Sequence, residues 1–155
     1  YLLNCLFARI LPMLHDPKAV VDYADFAGVF PIGFTKRHRR ILLESHIAER
    51  QRREKVLASA PQVNRYGAEV AGESKWRCRQ DDGSIGDFGE PLVGIWDEFH
   101  DNSNDKAFID PFTNDVRFQR ASAKGALVVT QGGGLEDLTS SVMRDQVNNT
   151  SVTTS

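Results

Sequence analysis

"YLLNCLFARILPML", residues 1–14, decides what kind of fold this chain can have. Leu2, Leu3, Leu6, Phe7, Ile10, Leu11 and Leu14 stand at i, i+1, i+4, i+5, i+8, i+9 and i+12. That spacing lines one face of a helix. It predicts an amphipathic helix that Pro12 stops or kinks, because the proline ring clashes with the preceding turn. The run is too short to span a bilayer, which takes about 20 apolar residues. It lacks the basic leader and close cleavage site of a signal peptide. It also lacks the lysine-rich polar face of a membrane-surface anchor. A helix packed on a core or on a partner is the expectation.

The next segment extends the helical reading. Asp16 is placed to cap a helix beginning at Pro17, a position that tolerates a missing N–H. Val20, Val21, Ala24 and Ala27 would form its face, and Gly28 its stop. Asp22 and Asp25 fall on the outer, solvated side. "VFPIGF", residues 29–34, reads as an apolar turn punctuated by Pro31 and Gly33.

"TKRHRRILLESHIAERQRREKV", residues 35–56, predicts a third helix, long and basic, over about 36–58 with Thr35 as N-cap. Leu43, Ile47, Arg50, Glu54 and Leu57 share a face, so its apolar stripe is thin. Residues 36–55 hold eight basic and three acidic residues, whereas residues 80–145 hold thirteen acidic and five basic ones. Lys36, Arg37, Arg39 and Arg40 crowd the helix start, where the macrodipole disfavours cations. Either the acidic half neutralises this helix internally, or each charged region faces a different partner.

Beyond residue 73 the helical period fades. "KWRCR", "PLVGIW", "KAFID", "DVRFQR" and "GALVVT" are short runs of strand character between glycines, asparagines and prolines. The aromatics Trp76, Phe88, Trp96, Phe99, Phe108, Phe112 and Phe118 follow no fixed period. The expected fold is therefore mainly α in the N-terminal half, with three helices, and irregular, extended or short-stranded in the C-terminal half. The alternative is α+β with a small antiparallel sheet. Three regions result: a helical 1–66, an acidic 67–130, and a flexible tail at 131–155 without apolar content at its end.

Chemistry-bearing motifs are incomplete. Asp101, Ser103 and Asp105 resemble a calcium loop, but Lys106 stands where the glycine belongs and Phe112 where the bidentate glutamate belongs. "DDGSIGD", residues 81–87, has carboxylates beside glycines without a full ligand set, and Asx turns explain both stretches. His15, His38, His46 and His100 form no zinc motif. Cys5 and Cys78 have no C-x-x-C spacing. Cys78 lies between Arg77 and Arg79, which would lower a thiol pKa, yet a half-buried strand cysteine is the simpler reading. "GSIGDFG" lacks the ending of a phosphate loop, and no serine sits in a G-x-S-x-G elbow. Asn148 and Asn149 are formal glycosylation sequons that matter only in a secreted protein.

A net charge of −2 excludes a blanket nucleic-acid binder. Neither catalytic residues, nor a metal, nor a cofactor is expected. The functional expectation is a non-catalytic accessory subunit docking onto a larger multi-protein assembly of respiratory, photosynthetic or cytoskeletal type. It would be intracellular, in a setting such as a mitochondrion or plastid, with no transmembrane span. The residues assigned to partner binding are Arg37, Arg39, Arg40, Arg50, Arg52, Arg53, Trp76, Trp96, Phe108 and Phe112. The alternatives are a ribosomal-type RNA-binding protein using the Arg-rich helix, contact of that helix with anionic lipid, and, last, a small enzyme.

Overall fold

A computed structural model of the chain describes residues 5, 7–18, 23–26, 28–63, 65–72, 76, 89–99 and 105–129. In chain order these form β1 (Leu11–His15), a 3-10 turn (Ala24–Phe26), β2 (Ile32–Gly33), α1 (Lys36–Ser59), β3 (Pro61–Val63) and β4 (Glu69–Ala71). There follow β5 (Leu92–Trp96), α2 (Lys106–Phe118), a second 3-10 turn (Arg120–Ser122) and β6 (Lys124–Val128). The main sheet runs β2-β1-β5-β6, and every neighbouring pair is parallel. β3 and β4 make a separate antiparallel hairpin.

This overturns the expectation of three N-terminal helices and an extended C-terminal half. It equally overturns the antiparallel alternative. The architecture is α/β: a four-stranded parallel sheet, with two long helices among the described residues. The decisive segment is the first one. Leu11–His15 is a central strand, paired with β2 on one side and β5 on the other. It misleads a periodicity reading because both of its faces are covered. Met13 packs toward the helices and Leu14 toward the opposite face. A strand buried on both faces loses its alternation and reads as a continuous apolar run.

Pro12 survives inside this strand for a geometric reason. The even-numbered amides of β1 point toward β2, as in the bonds from Leu14 N–H to the Pro31 carbonyl and from Asp16 N–H to the Gly33 carbonyl. β2 pairs only with Leu14 and His15. The missing proline N–H therefore falls where no partner strand has begun. Asp16, expected as a helix cap, accepts instead from the Lys18 amide two residues on, at 2.9 Å. That Asx turn diverts the chain. Where the second expected helix is described, it is the 3-10 turn at Ala24–Phe26.

In the second half, "PLVGIW" and "GALVVT" supply β5 and β6, whereas "KAFID" and the first four residues of "DVRFQR" belong to α2. On the helical face, Leu42 and Leu43 of α1 pack with Trp96, Phe99, Phe108, Ile109 and Phe112. On the other face, Leu14, Val93 and Ile95 pack with Cys5 and Phe30. Two glycines let α1 lie close on the sheet. A Cβ at Gly33 would come 2.7 Å from Leu42 Cδ1 and 2.9 Å from His38 Cβ. One at Gly94 would come 2.9 Å from Trp96 Nε1 and 3.3 Å from His46 Nε2.

Candidate functional site

The buried face of α1 is Arg39, Leu42, Leu43, His46, Arg50, Arg53 and Leu57. These positions keep helical spacing, but four of them are polar or charged. That composition is why the apolar stripe looked thin. Thr35 caps the helix, its Oγ1 accepting from the His38 amide at 3.1 Å.

The middle and end of α1 are consumed inside the protein. Asp115 of α2 is fully buried. It accepts from Arg50 Nε at 2.6 Å and from Gln119 Nε2 at 3.0 Å, and it meets His46 Nδ1 at 2.9 Å and Lys124 Nζ at 3.4 Å. Lys124 Nζ also donates to the His46 carbonyl. Burial pushes the His46 pKa down against the pull of Asp115, so Nδ1–H donates to an ionised carboxylate. Asp115 itself is held well below the ordinary carboxylate range: burial raises its pKa, but its His46, Lys124, Gln119 and Arg50 partners overcome that. Desolvation lowers Lys124 to about 8, with Asp115 opposing the fall. Arg53 donates to the carbonyls of Ser122 at 2.8 Å and Glu90 at 2.7 Å, and its Nε to Glu49 at 2.7 Å. Its guanidinium lies over Trp76, 4.6 Å from the ring centroid. This network ties α1 to α2 and to the segments entering β5 and β6.

The start of α1 differs. The helix begins just after the carboxyl end of β2, and the start of α2 lies against it. In open α/β sheets, ligands bind outside the carboxyl ends of the strands. Here Lys36, Arg37, Arg39 and Arg40 of α1 meet Asp105 and Phe108 around a cleft of about 310 Å³. Pockets for small molecules span roughly 300–1,000 Å³. Arg39 is buried, its guanidinium 4.5 Å from the Phe108 ring centroid and ion-paired to Asp105. Lys36, Arg37 and Arg40 are exposed, and none makes an ion pair among the described residues.

Next to the cleft, His15 and Asp16 leave β1 beside Asp97 and Glu98 leaving β5. The Asp97 amide donates to the His15 carbonyl at 2.9 Å, and Glu98 pairs with Lys18. The His15 ring is buried, and burial with the nearby Arg39 charge lowers its pKa to about 4. Among the described residues, no group of three or more histidine, cysteine or carboxylate side chains is arranged to hold a metal ion.

The structure thus divides the residues singled out from sequence. Arg37 and Arg40 line the cleft from its open side, and Arg39 lines it from within. Arg50 and Arg53 are locked in the interior, and Arg52 is bound to Glu49 at 2.7 and 2.8 Å on the surface. Trp96, Phe108 and Phe112 pack on one another, with Trp96 edge-on to both phenylalanines at 5.4 and 5.5 Å between centroids. Trp76 is buried, and its Nε1 donates to the Gly89 carbonyl at 2.9 Å. Sequence reading noted Lys36 in the crowded helix start but left it out of the partner-binding residues, weighed Asp105 only in an incomplete calcium loop, and missed Asp115 and Lys124. A signal for Asp115 exists: Phe108, Ile109, Phe112 and Val116 hold helical spacing, and Asp115 occupies an inward slot beside them. Cys78, His100, Asp101, Ser103, residues 81–87, Asn148, Asn149 and the tail at 131–155 lie outside the described residues. No described helix is long and apolar enough to cross a membrane. No protein-family model matches the chain, and no curated protein matches it either, so the functional reading rests on this geometry.

Proposed function

We propose that this protein is a non-catalytic binding subunit that holds a small phosphate-bearing ligand in the cleft between the starts of α1 and α2. The observation that carries the reading is the set of three exposed cations, Lys36, Arg37 and Arg40, lining one concave site without ion-pair partners among the described residues. Cations at a helix start work against the macrodipole. An anion between them would turn that repulsion into attraction, and phosphate suits the forked guanidinium donors. The site's position at the carboxyl end of a parallel sheet supports the same reading.

Binding rather than catalysis is favoured because the His46–Asp115 pair is sealed in the interior. Asp115 stands ten residues beyond Asp105, about 15 Å along the helix axis at 1.5 Å per residue. The expected accessory role narrows from a protein-docking surface to a ligand cleft, because Trp96, Phe108 and Phe112 are spent in the core.

Calorimetric titration with glycerol phosphate, glycerol and a single-stranded RNA oligonucleotide tests this. Glycerol phosphate should bind, glycerol should not, and a Lys36→Gln, Arg37→Gln, Arg40→Gln variant should lose at least about tenfold in affinity, as for lost charge-assisted bonds. Equal binding by the variant, or no phosphate binding at all, contradicts the proposal. RNA binding that is tighter and falls steeply with salt would assign the cations to a nucleic-acid backbone instead.

A further inference from the structure

Resting on that phosphate reading, we infer that Asp105 is a built-in competitor: its carboxylate occupies the ligand's place on Arg39, and an entering phosphate displaces it. Asp105 is the N-cap residue of α2, where an aspartate ordinarily accepts hydrogen bonds from its own helix. Here its side chain makes no capping bond, and its backbone, at φ −91° and ψ 86°, departs from the extended geometry that Thr35 adopts at the start of α1. The carboxylate instead reaches across to Arg39, sixty-six residues earlier in the chain.

The two partners are unequally fixed. The Arg39 side chain is 4% exposed and rests on Phe108, whereas the Asp105 side chain is 35% exposed at the cleft. Asp105 is the member able to move. Among the described residues, it brings one negative charge to a cleft lined by four cations, leaving a surplus of three. A phosphate monoester brings a second charge and more acceptor oxygens, so it answers the cleft better than the side chain does. On release, Asp105 gains what it now forgoes, because its carboxylate can then accept from the Ala107 amide at the start of α2, while the Phe108 amide already donates to the Asp105 carbonyl at 2.9 Å. Ligand binding is thereby coupled to the capping of α2.

Calorimetry with inorganic phosphate, at constant ionic strength, tests this on the wild type, Asp105→Asn and Asp105→Ser. Asn and Ser are both good N-caps, so either variant can cap α2. The expected result is phosphate affinity raised about fivefold in both, since a partly exposed ion pair no longer competes. Slower amide exchange at Ala107 in the wild type when phosphate is added would report the transfer of Asp105 to the cap, whereas the Phe108 amide already donates to the Asp105 carbonyl. Phosphate binding with unchanged or weaker affinity in both variants overturns the competitor role and leaves the cleft reading standing. Failure of phosphate to bind wild type and variants alike removes the cleft reading, and this inference with it.

Discussion

The two ends of α1 are built from the same residue types and do opposite things. From His46 to Leu57, Arg50 and Arg53 face inward, paired with Asp115 and Glu49 and, for Arg53, donating to backbone carbonyls. From Lys36 to Arg40, only Arg39 is turned in, and its neighbours stay open to the cleft. The difference teaches that an Arg-rich helix cannot be assigned to a partner as a unit. Its register against the sheet decides which arginines are structural cross-links and which can meet a ligand.

The strongest way to break the interior half is Asp115→Ala. It leaves Lys124 buried without its carboxylate and Arg50 with Glu54 alone, and should cost about 3–5 kcal/mol of unfolding free energy. Denaturant unfolding followed by circular dichroism measures it; a loss under 1 kcal/mol would mean the network is not a strut.

Acid attacks the same interior by another route. The folded-state pKa of His15 lies at about 4, below its unfolded value of 6.5. The unfolded chain therefore binds the extra proton first, and stability is complete above pH 6.5 and lost as pH falls toward 4. The loss is on the order of 3 kcal/mol for a shift of this size. His46 and Asp115 are lowered too and act in the same direction. Unfolding curves across this range should show the midpoint falling with pH, and His15→Phe should flatten the slope between pH 6.5 and 4.

The smallest effect sharpens the contrast within one helical turn. Arg52 is more than half exposed, pairs with Glu49 and lies 5.7 Å from the Trp76 ring centroid, so Arg52→Gln should cost less than about 0.5 kcal/mol. Arg53→Gln strips a donor from the buried Ser122 carbonyl and the half-buried Glu90 carbonyl and should cost about 1–3 kcal/mol. Equal thermal midpoints for the two variants would contradict the assignment of Arg53 as a cross-link.

α1 was legible in the sequence, because a Thr35 cap and a long uninterrupted run of helix formers are local signals. The internal use of the downstream acidic residues was legible only as one of two options; Asp105 and Asp115 now show it in part. β1 was not legible. Met13 and Leu14 serve two different cores, and Leu11 is exposed, so their spacing carries no period of two. α2 was hidden by Pro111, which reads as a breaker yet sits inside the helix. The cleft depended on pairing Arg39 with Asp105 across the chain, and no local pattern announces such a pair.

The most direct measurement is a phosphate titration of isotope-labelled protein followed by backbone amide NMR. Shifts should be confined to residues 36–40 and 105–108, with residues 50–57 unmoved. Shifts centred on Arg50 to Arg53, or none anywhere, would contradict the division of α1 into a buried strut and an open anion site.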